Sequence, residues 1–152
     1  MKLKDAIKKS KEGTKRYKVI LVNQNKDEYF QECEDLNLKL ININKELPEL
    51  LSKCSSSQKK NESWEILKSY LENLDDDVLA IYNVDYLFSP ELGCLNPVHN
   101  FNYYSRDKQI IVLFLNARKF ENKLIYSEEG NPDFNTMDIS ENEFVLGWND
   151  EN

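Results

Sequence analysis

The apolar positions of this chain change period along its length. Leu3, Ala6, Ile7 and Ser10 recur at three-to-four spacing and predict a short amphipathic helix over residues 3–11, with Gly13 as its stop. Residues 17–23 (YKVILVN) form a continuous apolar, β-branched run, the pattern of a strand buried on both faces. Residues 27–36 return to helical spacing, with Tyr29, Phe30, Cys33 and Leu36 on one face. Residues 38–43 (LKLINI) predict a second strand, and residues 45–53 (KELPELLSK) a helix in which Pro48 is tolerable only near the first turn.

The polar, serine-rich stretch 54–61 (CSSSQKKN) reads as a loop open to disorder or cutting, and Ser63 as the N-cap of a helix over 64–74. Trp64, Leu67, Tyr70, Leu71 and Leu74 are the predicted buried stripe of that helix. Residues 78–82 (VLAIY) predict a third buried strand. Residues 87–104, broken by Pro90, Gly93 and Pro97, predict irregular structure with helical turns. Residues 110–116 (IIVLFLN) are the most apolar run and the expected central strand; 123–127 and 143–146 add short strands, with a turn at 130–132. Strands alternating with helices predict an α/β fold: a mainly parallel sheet with helices on both faces, joined by right-handed crossovers. Ligands of such sheets bind at the carboxyl ends of the strands.

Length and composition sharpen this picture. The 152 residues, 40% hydrophobic and 31% charged with 4 Gly and 4 Pro, suit one packed domain over 1–152. The net charge of −7 opposes binding to phosphodiester backbones, its excess acid lying mainly in 27–35, 75–77 and a C-terminal segment, 137–152. The N-terminal segment 1–16 is the basic exception. With Lys18 it carries Lys2, Lys4, Lys8, Lys9, Lys11, Lys15 and Arg16, either a solvated helix face or a patch for DNA or an acidic partner. Cys33, Cys54 and Cys94 are widely spaced and share one histidine, His99, so they predict reduced thiols and no zinc site. With no apolar leader core and no apolar run of membrane-spanning length, the expected location is the cytoplasm, away from any membrane.

The candidate chemistry sits where the strands end. A triphosphatase of this layout needs a glycine-rich loop after its first strand, so that backbone N–H groups wrap the phosphates while a Lys neutralises them. Here that segment is VNQNKDEYF, with no glycine and with Lys26 as its one lysine. Asp27 and Glu28 stand where phosphate charge would sit and suit a helix N-terminus instead. The third strand ends in Tyr82 and Asn83 before the first acid, Asp85, which serves either as a metal-orienting group or as a loop residue. Asn116 ends the fourth strand, where related ATPases place a γ-phosphate sensor, and Arg106 lies just ahead of that strand. Lys26, Asp85, Arg106 and Asn116 are therefore the candidate nucleotide-binding residues. No nucleophile elbow or zinc-protease motif occurs, and no catalytic residue is assigned. Phe101, Tyr103 and Tyr104 crowd one short segment, either as a buried anchor or as a partner surface.

The segment from Asp77 to Ala117, followed by KLIYSEEGNPDF, resembles the BrxF family of small P-loop-type proteins of type 3 bacteriophage exclusion (BREX) systems. The resemblance rests on Leu87, Phe88, Pro90, Leu92, Leu95, Pro97, Ser105, Arg106, Leu124, Tyr126, Glu128, Gly130, Pro132 and Phe134, with LKLININKELPELL upstream. It implies a P-loop-NTPase-like three-layer sandwich and a place among the protein components of a phage-defence system. The chain departs from the family's glycine-rich loop at residues 23–30 and from its Walker B acid at Tyr82. The expected function is thus a structural or regulatory subunit of an antiphage complex, a degenerate ATPase-like domain needing no cofactor, either alone or as a homo-oligomer. Two alternatives compete with it: an active, atypical protein binding ATP with magnesium, and a nucleic-acid-binding accessory using the basic N-terminus.

Overall fold

A computed structural model describes residues 1–13, 17–105 and 109–148. Five parallel strands form the central sheet: β1 (Val19–Asn23), β2 (Lys39–Asn42), β3 (Val78–Tyr82), β4 (Ile110–Leu115) and, near the C-terminus, Phe144–Leu146. Between β4 and that last strand lie β5 (Arg118–Phe120), β6 (Lys123–Tyr126) and β7 (Asn135–Asp138), a separate antiparallel sheet, so Phe144–Leu146 is β8. The central order is β2-β3-β4-β1-β8, with β4 in the middle.

The two-residue period of the strands explains the layers. Val19 and Leu21 of β1, Leu79 and Ile81 of β3, and Ile111, Leu113 and Leu115 of β4 enter one apolar cluster. Their neighbours Ile20, Val22, Val78, Ala80, Ile110, Val112 and Phe114 enter a second cluster on the opposite face. Helices α1 (Leu3–Glu12) and α2 (Asp27–Asp35) cover the second face through Leu3, Ala6, Ile7, Tyr29 and Cys33. Helices α3 (Ile43–Leu50), α4 (Ser56–Glu72) and α5 (Pro97–Tyr104) cover the first, with the 3-10 turns Asp85–Phe88 and Pro90–Leu92.

This distribution follows from handedness. The chain travels from β1 to β2 toward one edge with α2 on one face, then returns through β3 and β4 with its helices on the other, as right-handed crossovers require. The last crossover, β4 to β8, continues in the returning direction and lies on the same face as α3–α5. There the small sheet takes the place of a helix, burying Leu124 and Met137 in the first cluster. The result is an α/β fold compatible with a three-layer sandwich. Among the described residues no helix is long and apolar enough to cross a membrane.

Several sequence expectations are corrected. Residues 54–61 are no loop: Ser55 caps α4 with a capping box, its hydroxyl accepting from Gln58 N–H at 3.1 Å while the Gln58 carboxamide accepts from Ser55 N–H at 2.8 Å. Ser63 is consequently a mid-helix residue, 1% exposed, whose Oγ is buried with no hydrogen-bond partner among the described residues. Helix α3 begins at Ile43, so Pro48 lies in its second turn, which the short helix tolerates because few hydrogen bonds follow. Leu36, expected on the buried face of α2, is the helix's exposed C-cap. Of the C-terminal acidic segment, Met137, Ile139, Phe144, Leu146 and Trp148 are core.

If the helix starts at Ser55, Ser55→Ala lowers stability in urea denaturation by about 1 kcal/mol, while Ser63→Ala leaves it unchanged or raises it. A second expectation concerns Cys33, whose thiol is pushed up to about 12 by burial, with Glu32 and Glu34 adding to the effect. A thiol reagent at pH 8 should modify exposed Cys94 at once and Cys33 only on unfolding. Because the folded pKa is raised above the unfolded value of 9.0, the stability linked to this thiol is present below pH 9 and is lost as pH rises toward 12.

Candidate functional site

Strands buried on both faces can present polar groups only at their ends, and the carboxyl ends of this sheet carry a net of carboxamides. The connection from β1 to α2 is a three-residue turn, Gln24 to Lys26. All three of its backbone N–H groups donate internally. Gln24 N–H reaches Leu115 O of β4 at 3.0 Å, Asn25 N–H the Asn23 side-chain oxygen at 3.0 Å, and Lys26 N–H the Asn23 carbonyl at 3.1 Å.

The side chains extend the net sideways. Gln24 exchanges two hydrogen bonds with Asn83 beyond β3, donating to its Oδ1 at 2.9 Å and accepting from its backbone N–H at 3.0 Å. Asn83 holds a left-handed backbone, φ +52°, and its carbonyl accepts from Asn44 N–H at 3.0 Å. Asn25 Nδ2 donates to Asn116 Oδ1 at 3.3 Å, and Asn23 Nδ2 to the Gly147 carbonyl after β8 at 3.0 Å. Gly147 has φ +94°, and a Cβ there would lie 3.0 Å from both Asn23 Cβ and the Tyr29 ring. The ends of β1, β3, β4 and β8 are thereby tied together by uncharged groups.

Connections leaving neighbours β1 and β4 run to opposite edges of the sheet, which makes their carboxyl ends the switch point where α/β sheets leave a crevice. A cleft of about 340 Å³ opens there toward the small sheet, lined by Asn25, Asn116, Arg118, Tyr126, Glu128 and Asp133 among others. Tyr126 stacks on Phe88 at 3.7 Å and donates to the Asp85 carboxylate. Its hydroxyl is raised above the usual tyrosine range, by desolvation first and then by Asp85 and Asp133. Arg118 donates to Ser127 O at 3.0 Å, and Ser127 Oγ donates to Asp133 at 2.8 Å.

The structure brings together two of the four candidate nucleotide-binding residues. Asn116 lines the cleft, and Asp85 reaches its wall through Tyr126. Lys26 instead lays its stem by Gly147, whose Cβ, if present, would lie 3.2 Å from Lys26 Cγ. Arg106 lies outside the described residues. Among these no group of three or more His, Cys, Asp or Glu side chains is placed to hold a metal. Gln24, Asn25 and Asn83 escaped the sequence reading; the run of carboxamides NQN after a buried strand was the available signal.

Of the three clustered aromatics, Phe101 is 0% and Tyr104 5% exposed. Both are buried anchors: Phe101 meets Trp64 edge-on at 5.2 Å, and Tyr104 donates to Gln109 at 2.6 Å. Tyr103, 49% exposed, is the one presented to solvent. The basic N-terminal helix lies against acidic α2, with Glu32 accepting from Leu3 N–H at 3.1 and 3.2 Å. Between them Lys2 and Lys4 share a groove with Glu28, Glu32 and Asp35, so acid stands beside these two lysines. Lys15 and Arg16 lie outside the described residues.

Compared with family models, curated proteins and solved structures, the chain finds no match. The chemistry of the site therefore rests on its own geometry: a net of carboxamides at the strand ends beside a cleft that carries Arg118, Glu128 and Asp133. Gly147→Ala should destabilise the protein by about 1–3 kcal/mol in chemical denaturation. Asn23→Ala, which removes one tie to the same turn, should cost less.

Proposed function

We propose that this chain is a P-loop-like α/β subunit without ATPase activity, with a structural or regulatory role in an antiphage defence assembly of the BREX kind. The observation that carries the first half is the turn after β1. A phosphate cradle needs several unspent backbone N–H groups converging on one point, and here all three in the turn are committed to Leu115 O and Asn23. Rebuilding a cradle would break the Gln24–Asn83 exchange and leave half-buried polar groups without these partners.

The P-loop-like part is supported by strand order. A polar group at the end of the fourth strand can sense a ligand held after the first only if the two strands are adjacent; β4 pairs with β1, and Asn116 meets Asn25. The defence assignment rests on the sequence resemblance to the BrxF family.

Thermal unfolding of the purified protein with ATP and magnesium separates this from an active nucleotide binder. The expected midpoint is unchanged; a rise that saturates with nucleotide, or ATP turnover abolished by Lys26→Ala, would overturn the proposal. Isolation from the native host should yield a stable complex whose mass exceeds that of this chain, and recovery of the chain alone would count against a subunit role.

A further inference from the structure

A groove of about 460 Å³ lies between α1 and α2, on the outside of the layer that covers the second face of the sheet. Spacing builds one of its walls. Glu28, Glu32 and Asp35 stand four and three residues apart, so they form a single acidic stripe along α2, and Leu36 follows where the helix stops. The other wall is the start of α1, with Lys2 as its N-cap and Lys4 in its first turn. Leu3, Ala6, Tyr29 and Cys33 on the inner sides of the two helices are spent on the second cluster, which leaves the charged sides facing outward.

The opposed charges do not neutralise one another by contact. Among the described residues none of these five groups forms a salt bridge, although the lysines and the acids line the same groove. Glu32 accepts from Leu3 N–H, and Asp35 from the Gln31 side chain at 3.0 Å, both neutral donors. Lys2, Lys4 and Glu28 are exposed. The groove also holds two of the four exposed large apolar side chains among the described residues, Met1 at 58% and Leu36 at 41%.

An occupant of such a groove must offer acid to the lysines and base to the acids at matching spacing. A second copy of the chain does this by symmetry. A two-fold axis along the groove carries each basic wall over the acidic wall of the other copy, whereas an axis across the groove sets like charges together. One orientation is thereby selected, and Met1 and Leu36 leave water in the same contact. We propose that the chain pairs with a second copy through the α1–α2 groove, Lys2 and Lys4 of each protomer facing Glu28 and Asp35 of the other. The inference stands apart from the nucleotide question, since the groove lies over a face of the sheet and not at its carboxyl ends. It is read on the purified chain alone, so it also stands or falls separately from any complex with other components.

Sedimentation equilibrium of the purified chain at low salt is the test. A mass twice that of the chain is expected, with association several-fold weaker at high salt; a single-chain mass throughout, or association that salt leaves unchanged, would overturn the pairing. Charge reversal locates the surface. Lys2→Glu with Lys4→Glu makes both walls acidic, and Glu28→Lys with Asp35→Lys leaves both basic overall, so each variant alone should sediment as a single chain. Mixed in equal amounts, the two should recover the paired mass, because every acidic wall then meets a basic one. Pairing that persists in either variant alone, or a mixture that fails to associate, would remove the groove as the interface. Glu32 is left in place because it holds the first N–H of α1. Circular dichroism checks folding, and should a double variant fail to fold, Lys4→Glu and Asp35→Lys, mixed in the same way, decide.

Discussion

Burial of the central strands on both faces is the constraint from which the rest of this structure follows. β1, β3 and β4 send alternate side chains into two separate apolar clusters, so neither face of the sheet is available to solvent or ligand. Helices and the small sheet must cover both faces, and chemistry is confined to the two ends. At each end a short segment must turn the chain while satisfying its backbone polar groups. The identity of the residues in those turns then decides what the molecule can bind.

At the carboxyl end the turn after β1 meets this demand with side-chain amides. Asn23 supplies its side-chain oxygen to Asn25 N–H and its carbonyl to Lys26 N–H, while Gln24 spans to Asn83. A carboxamide carries both donor and acceptor, so such groups can saturate one another without charge. Glycines would leave the N–H groups pointing outward, ready for an anion. Here one of those donors, Asn25 N–H, meets a side-chain amide and the other two meet the carbonyls of Leu115 and Asn23, so all three are spent on tying the sheet end.

The sequence made the buried strands legible because their apolar runs are long relative to any competing pattern; β4 was recognisable as the centre from IIVLFLN alone. The start of α4 is hidden by its serine-rich composition, which predicts a loop, although Ser55 and Gln58 stand at capping-box spacing. The small sheet was only partly visible. β6 has an apolar run, but β5 (RKF) and β7 (NTMD) are short and polar, and they exist because pairing with β6 satisfies their backbones. At the candidate site the absence of a glycine loop was readable, but not the reciprocal amide contacts, which join residues 59 and 91 positions apart. The role of Gly147 depends on contact with Asn23 and Tyr29 across the sheet, which no local pattern encodes.

Charge follows the same division between faces and ends. Lys2 and Lys4, at the start of α1, share a groove with Glu28, Glu32 and Asp35 of α2, so their field is partly cancelled there, and Glu32 accepts from the first N–H of α1. Beside α5, Asp138 and Glu141 line a small pocket together with Tyr17, His99 and Tyr103. Exposed carboxylates facing water alone are ordinary on a chain of net charge −7. Carboxylates arranged around a rigid aromatic wall are different, because the rings lower the local polarity and strengthen any contact made there. Acidic groups thus serve differently in one chain: Glu32 is spent on a backbone N–H between two helices, while Asp138 sits opposite Lys123, which offsets part of its charge.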